Sequence, residues 1–263
     1  MHFAVQGSSG EQMKIHFRIA QTLLILSASF LCADLVNGQI TASLRGDVRV
    51  VEGAVENGGG DELVVSPRSW ALLGFDNIVP DGRTVTGATF TIVPTTLYSA
   101  GALPGHGSSA DWLQVHQLFS GNAGWIEGTG SNFAPALALP GEVTFSERAS
   151  QQTPWVDASS LPVNNITEAF DQTPLDSVSG FGIGEEPSRL TFNFDAATAQ
   201  GWVDAGFTDL VISVVDGDGN GASLFSLGQD SAVLTIQTVP EPSSTILICS
   251  LLAGLAFRRQ RRR

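Results

Sequence analysis

Short apolar runs, each of four to ten residues, alternate through the middle of this chain with Gly, Pro and Asp clusters, and they almost never sustain the 3.6-residue period of a helix. Twenty-nine glycines and 12 prolines supply the punctuation. A chain so interrupted predicts many short strands closed by turns, an all-β sandwich, and argues against βαβ units, whose crossovers need helical stretches. Residues 47–52 open with alternation, 56–61 form a glycine-rich turn, and 69–76 (SWALLGFD) carry apolar residues at nearly every position, which suits a buried strand. Within residues 79–83, Pro80 fixes φ and Gly82 accepts a positive one. Residues 84–93 then alternate Val85, Ala88, Phe90 and Ile92 with threonines, with a one-residue step at Gly87 that predicts a bulge. Further strands are expected at 113–119, 189–194, 208–215 and 232–238. The one helix of the body is predicted over 196–205, capped by Asp195 and ended at Gly206. Between Gly121 and Pro187 closely spaced prolines leave no long element, so this stretch reads as long loops, functional or decorative, holding short strands around 143–145. No fixed-period repeat is present, which excludes solenoids and propellers.

Both ends of the chain depart from this pattern. Lys14, His16 and Arg18 precede the apolar run 19–31 and a small-residue region, the layout of a secretory signal peptide with cleavage expected after Gly38 and Met13 as the true start. A lipid attachment at Cys32 is disfavoured because Leu31 stands where that signal takes a small residue. At the other end, Val239, Pro240, Glu241, Pro242 and Ser243 lead into the apolar run 245–257 (TILICSLLAGLAF) and five arginines within 258–263. The prolines hold the chain extended around Glu241 and present it to another protein. The 13-residue run is shorter than the roughly 20 residues of a full membrane span, and the arginines resist translocation. The expected organisation is a signal helix over 1–38, a single domain over 39–238, and a sorting segment over 239–263.

The C-terminal order of tripeptide, hydrophobic helix and basic stop resembles the PEP-CTERM sorting signal of exported bacterial proteins. That resemblance implies recognition of Pro240, Glu241 and Pro242 by an exosortase, a transpeptidase-like membrane enzyme. It also implies transient membrane anchoring through 245–257, and delivery to the cell surface or an exopolysaccharide matrix. An ordinary C-terminal anchor is the simpler alternative. Either reading places the body outside the cytoplasm.

With both ends set aside, the body holds six basic residues (Arg45, Arg49, Arg68, Arg83, Arg148 and Arg189) against 23 acidic ones, since Glu11, Asp34 and Glu241 are the only acids outside it. A net charge near −17 repels phosphate backbones and excludes nucleic acid as a partner. Cys32 and Cys249 lie outside residues 39–238, so the domain folds without disulfides and has neither a thiol nucleophile nor thiolate metal sites.

Asp216, Asp218 and Asn220, with Gly221 at the sixth position, spell the start of a calcium loop, but Leu227 stands where the twelfth-position acid belongs. A plain hairpin turn is the competing reading. Calcium would then be a possible cofactor, with further ligands from another loop. Five tryptophans are candidates for stacking on sugars. Trp70 and Trp202 lie in regular elements and are expected inside; Trp112, Trp125 and Trp155 adjoin loops and are the candidate glycan contacts. Glu127, and Glu185 with Glu186, are the least improbable carboxylates for hydrolysis. His106 and His116 lack a nucleophile elbow, so no catalytic residue is assigned and an enzyme is not expected.

The stretches LLGFDNIVPDGRTVTGATFTI, WLQVHQL, GWIEGTG, LTFNFDAATAQGWVDAGFTDLVIS and SLFSLGQDSAVLTI resemble the DNRLRE-type β-sandwich, a jelly roll similar to carbohydrate-binding modules. Phe75, Asp76, Ala88, Trp125, Glu127, Gly128, Trp202 and Gly206 occupy its places, whereas the Pro-rich insertion at 151–174 departs from it. The resemblance implies a jelly-roll-like fold and exopolysaccharide as a possible partner of a structural, adhesive or carbohydrate-binding protein. A glycoside hydrolase or lyase of the same compartment is the alternative.

Overall fold

The computed structural model describes residues 38–53, 56–58, 62–79, 82–95, 111–128, 136–181, 187–217 and 225–239. The signal segment, Pro240, Glu241, Pro242, the run 245–257, Asp218, Asn220, His106, Glu185 and Glu186 lie outside the described residues. Residues 39–238 form one unit with its own core.

Two sheets make the sandwich. The smaller runs in the order β1 (Gly38–Thr41), β16 (Val233–Val239), β6 (Thr84–Ile92), β13 (Leu190–Phe194). The larger has seven strands in the order β12 (Asp176–Ser179), β7 (Trp112–Gln117), β14 (Thr208–Val215), β5 (Ser69–Asp76), β2 (Ser43–Val51), β3 (Glu56–Gly58), β8 (Ala136–Leu137). An antiparallel pair of strands distant in sequence, β4 (Glu62–Val65) with β15 (Phe225–Gly228), adds Leu63, Val65, Phe225 and Leu227 to the same core. Phe75 on the large sheet meets Phe90 on the small one edge-to-face at 6.0 Å, and Phe90 stacks on Phe192 at 5.6 Å, so aromatic contact spans the sandwich. At the open edges Asp176 of β12 accepts the Asn193 N–H of β13 at 2.7 Å. One carboxylate thereby occupies a donor that an incoming strand would use.

The helix α1 (Ala196–Ala205) forms where its caps predict. Asp195 accepts the Thr198 N–H, and Gly206 closes the helix at φ 79°. It joins β13 to β14, and its Ala199, Trp202 and Val203 sit in the core. The step at Gly87 is also real in its effect, since Val85 and Ala88 both turn inward. A Cβ on Gly87 would stand 2.9 Å from the Phe194 carbonyl oxygen, so close backbone approach requires glycine there.

The stretch from Gly121 to Pro187 does hold short strands, but they form a packed unit rather than pieces of long loops. Its short strands β9 (Glu147–Ala149), β10 (Thr153–Val156) and β11 (Pro162–Val163) pair antiparallel; they begin just after 143–145, which is itself not in a strand. Together they build a second layer on the outer face of the large sheet. Alternation along β5 divides its side chains between two cores: Ala71, Leu73 and Phe75 face the sandwich, while Trp70 and Leu72 face outward. On that outer side Val48, Val50 and Val211 pack with Trp125, Val143, Trp155, Ile166, Ala169 and Phe170. Side chains bonded to backbone lock the layer. Asn122, fully buried, accepts the Val156 N–H at 2.8 Å and donates to the carbonyls of Val156 and Ala169 at 2.8 and 3.0 Å.

Candidate functional site

A sugar needs an exposed ring face, and most indoles of this chain have none to offer. Trp70 stacks on Phe145 at 5.7 Å. Trp202 donates to Gln117 Oε1 at 2.6 Å and meets Phe194 edge-on at 5.0 Å. Trp155 is 0% exposed and gives its N–H to the carbonyls of Thr144 and Phe145, both at 3.1 Å. Trp125 is 4% exposed and donates to Asp209 Oδ1 at 2.8 Å. Trp125 and Trp155, expected at loop surfaces, are therefore core residues of the second layer, because the stretches beside them fold onto the sheet. Trp112 is different, at 46% exposure. It begins β7 opposite Val215 of β14 and Ser179 of β12, with Gln114, Ser213 and Ser177 paired one step along on the same side. Exposed Val215 stands directly opposite the indole, and Gln114, Ser177, Ser179 and Ser213 are the polar residues paired beside it.

Two linked polar clusters sit where β2 bulges between Leu44 and Gly46. In the first, Arg45 reaches Asp76 Oδ1 at 3.0 Å, pairs with buried Asp209, and lies 5.3 Å from the centre of the Trp125 ring. Gly74 makes the room: a Cβ there would meet Arg45 Nη2 at 2.6 Å. Burial raises the Asp209 carboxyl above its usual range, with Arg45 and the Trp125 N–H pulling the other way.

The second cluster holds Asp47, Glu127, Gln229 and Asp230. Asp47 is fully buried, and its Oδ2 accepts the Asp230 N–H at 2.7 Å. Its Oδ1 is buried and accepts no hydrogen bond. Burial pushes the Asp47 carboxyl up to about 6; the charge of Asp230 adds to this, and the Asp230 amide holds it back. Gln229 Nε2 donates to Glu127 Oε1 at 2.9 Å, and the Asp47 backbone amide holds the Glu127 carboxyl back. The Gln229 amide also eases Asp47, but its hydrogen bond goes to Glu127. Burial first and the Asp47 charge second raise Glu127 as well. A Cβ on Gly46 would stand 3.1 Å from Glu127 Oε2 and 3.7 Å from the Trp125 ring. Asp47 was legible only as a strand residue, whereas Glu127 carries the acid beside a tryptophan that the sequence flags.

The remaining candidates do not join these clusters. Asp216, half-buried, follows β14, and next to it the Gly217 N–H donates to buried Asp111 at 2.8 Å. Its expected companions Asp218 and Asn220 lie outside the described residues. Among the described residues no group of three or more Asp, Glu, His or Cys side chains is arranged to hold a metal. His116 is buried, with Nδ1 2.9 Å from the Asp171 carbonyl and Nε2 2.9 Å from Ser213 Oγ, and burial lowers its pKa. It ties β7 to β14 and to the second layer.

Residues 238–262 match the model of the PEP-CTERM protein-sorting motif. The chain is accordingly an exported protein, transiently anchored at its C-terminus and processed there by an exosortase. No curated protein matches the chain.

Proposed function

We propose that the domain over 39–238 is a structural or adhesive component of the cell surface or extracellular matrix. The observation that carries this reading is the fate of the tryptophans: Trp70, Trp125, Trp155 and Trp202 are buried, which suits a protein whose work is done by its folded body and acidic surface. The alternative, a glycoside hydrolase or lyase, calls for two carboxylates facing a substrate cleft. Asp47 and Glu127 are both raised, but Asp47 is fully buried, out of reach of a sugar substrate.

A second reading rests on Trp112. Its exposed indole beside Val215, with Gln114, Ser177, Ser179 and Ser213 as polar neighbours, suits a shallow contact with a neutral glycan. Binding of the purified protein to a polysaccharide panel that includes the producer's matrix, with an assay for released sugar, tests both. Loss of matrix cohesion on gene deletion, without sugar release, supports the structural role. Saturable binding abolished by Trp112→Ala supports the glycan contact, and release of sugar overturns both in favour of an enzyme.

A further inference from the structure

The second polar cluster has a charge problem that the protein alone leaves open. Asp47 Oδ1 is buried without a hydrogen-bond partner, and a buried carboxylate oxygen left so is costly. The interactions that set the charge of Asp47 and Glu127 contain no positive partner; they are burial, each other, Asp230 and a few N–H donors. Arg45, two residues from Asp47, is committed to Asp76 and Asp209. A proton relieves one carboxylate, whereas a cation relieves both together.

We propose that Asp47 and Glu127 hold a divalent cation of the calcium class, which fastens the second layer and the β15–β16 turn to β2. The donors are all oxygen, with no thiolate or imidazole, which selects a hard cation. Since no three acidic side chains converge among the described residues, the protein supplies two carboxylates and water completes the shell, with Asp230 adding its field. So few protein ligands place the affinity in the weak range of extracellular modules, a Kd of about 10⁻⁴ to 10⁻³ M. The three pieces so joined are distant in sequence: Asp47 on β2, Glu127 after the second-layer Trp125, and the turn that carries Gln229 and Asp230. These residues are distinct from the Asp216 loop.

Calcium, magnesium and chelator are compared on the purified protein by thermal unfolding, and terbium luminescence is excited through tryptophan, since Trp125 and Glu127 both adjoin Gly46. Calcium at about a hundred times its Kd is expected to raise Tm by roughly 5–10 °C and to displace terbium. Asp47→Asn and Glu127→Gln abolish both responses, while Asp216→Asn keeps them. In chelator, Asp47→Asn is at least as stable as the parent, because it removes the buried charge; if it fails to fold, half-buried Glu127→Gln carries the test. No saturable calcium response, or one lost in Asp216→Asn and kept in Glu127→Gln, overturns the proposal.

Discussion

Truncating Trp155 to alanine tests whether the stretch from Gly121 to Pro187 is a structural layer or ornament. The indole is 0% exposed and packs in the outer core with Val143, Ile166 and Phe170. Removing a buried aromatic of this size costs about 3–5 kcal/mol. The carbonyls of Thr144 and Phe145 share its N–H as donor, and losing it adds about 1 kcal/mol. A total of about 4–6 kcal/mol is a large share of the roughly 5–15 kcal/mol that holds a domain together. Trp155→Phe keeps most of the ring and loses the N–H, so it should cost only about 1–2 kcal/mol. Urea unfolding followed by near-ultraviolet circular dichroism measures both, and the layer unfolds with the sandwich if the transition stays single. A Trp155→Ala midpoint within about 1 kcal/mol of the parent, with lost hydrogen-exchange protection confined to 119–170, would refute this reasoning and return the stretch to decoration.

Gly74→Ala drives a Cβ into the Arg45 guanidinium and leaves buried Asp209 without its cation, at a cost of about 3 kcal/mol; most of it should vanish in an Arg45→Met background, and an additive double-mutant cycle would contradict the account. His116, its pKa lowered below 6.5 by burial, contributes stability that is complete above 6.5 and is lost as pH falls through the folded value. Its ring resonances should titrate with a midpoint below 6.5, and a midpoint at or above 6.5 refutes the buried, neutral assignment. Glu241→Ala, within the matched sorting motif, should leave the tail uncleaved and the protein in the membrane fraction, and normal release would show that the glutamate is not read.

What the sequence made legible was whatever depends on neighbours along the chain. The helix over 196–205 was readable because both of its caps, Asp195 and Gly206, are local signals. The strand at 69–76 was readable as buried because its apolar run is nearly uninterrupted, but that Trp70 and Leu72 meet a second core on the outer side was not. The second layer escaped because its strands are two to four residues long and carry no period. Its locks, Asn122 bridging Val156 and Ala169 and Trp155 capping two carbonyls, join residues distant in sequence with no motif between them. Two of the three sugar-stacking candidates, Trp125 and Trp155, are buried for the same reason. Trp125 and Trp155 neighbour loops in sequence and a sheet in space.

The charge balance ties these observations to the medium outside the cell. Six arginines serve 23 acids in the body, and several are spent on internal tasks: Arg45 on Asp76 and Asp209, Arg148 on the Ala123 carbonyl, Arg49 on Ser69. Arg68 pairs with Glu52 at the surface, at 3.4 Å, where solvent screens the interaction. The protein's own cations therefore leave most of its negative field uncompensated, and neutralisation falls to ions of the surroundings. Inside the cell such a field would compete for a small free calcium pool, whereas an exported domain meets divalent cations in plenty. A buried, unpaired Asp47 oxygen is tolerable on those terms, and the same surroundings that receive the protein would complete its fold.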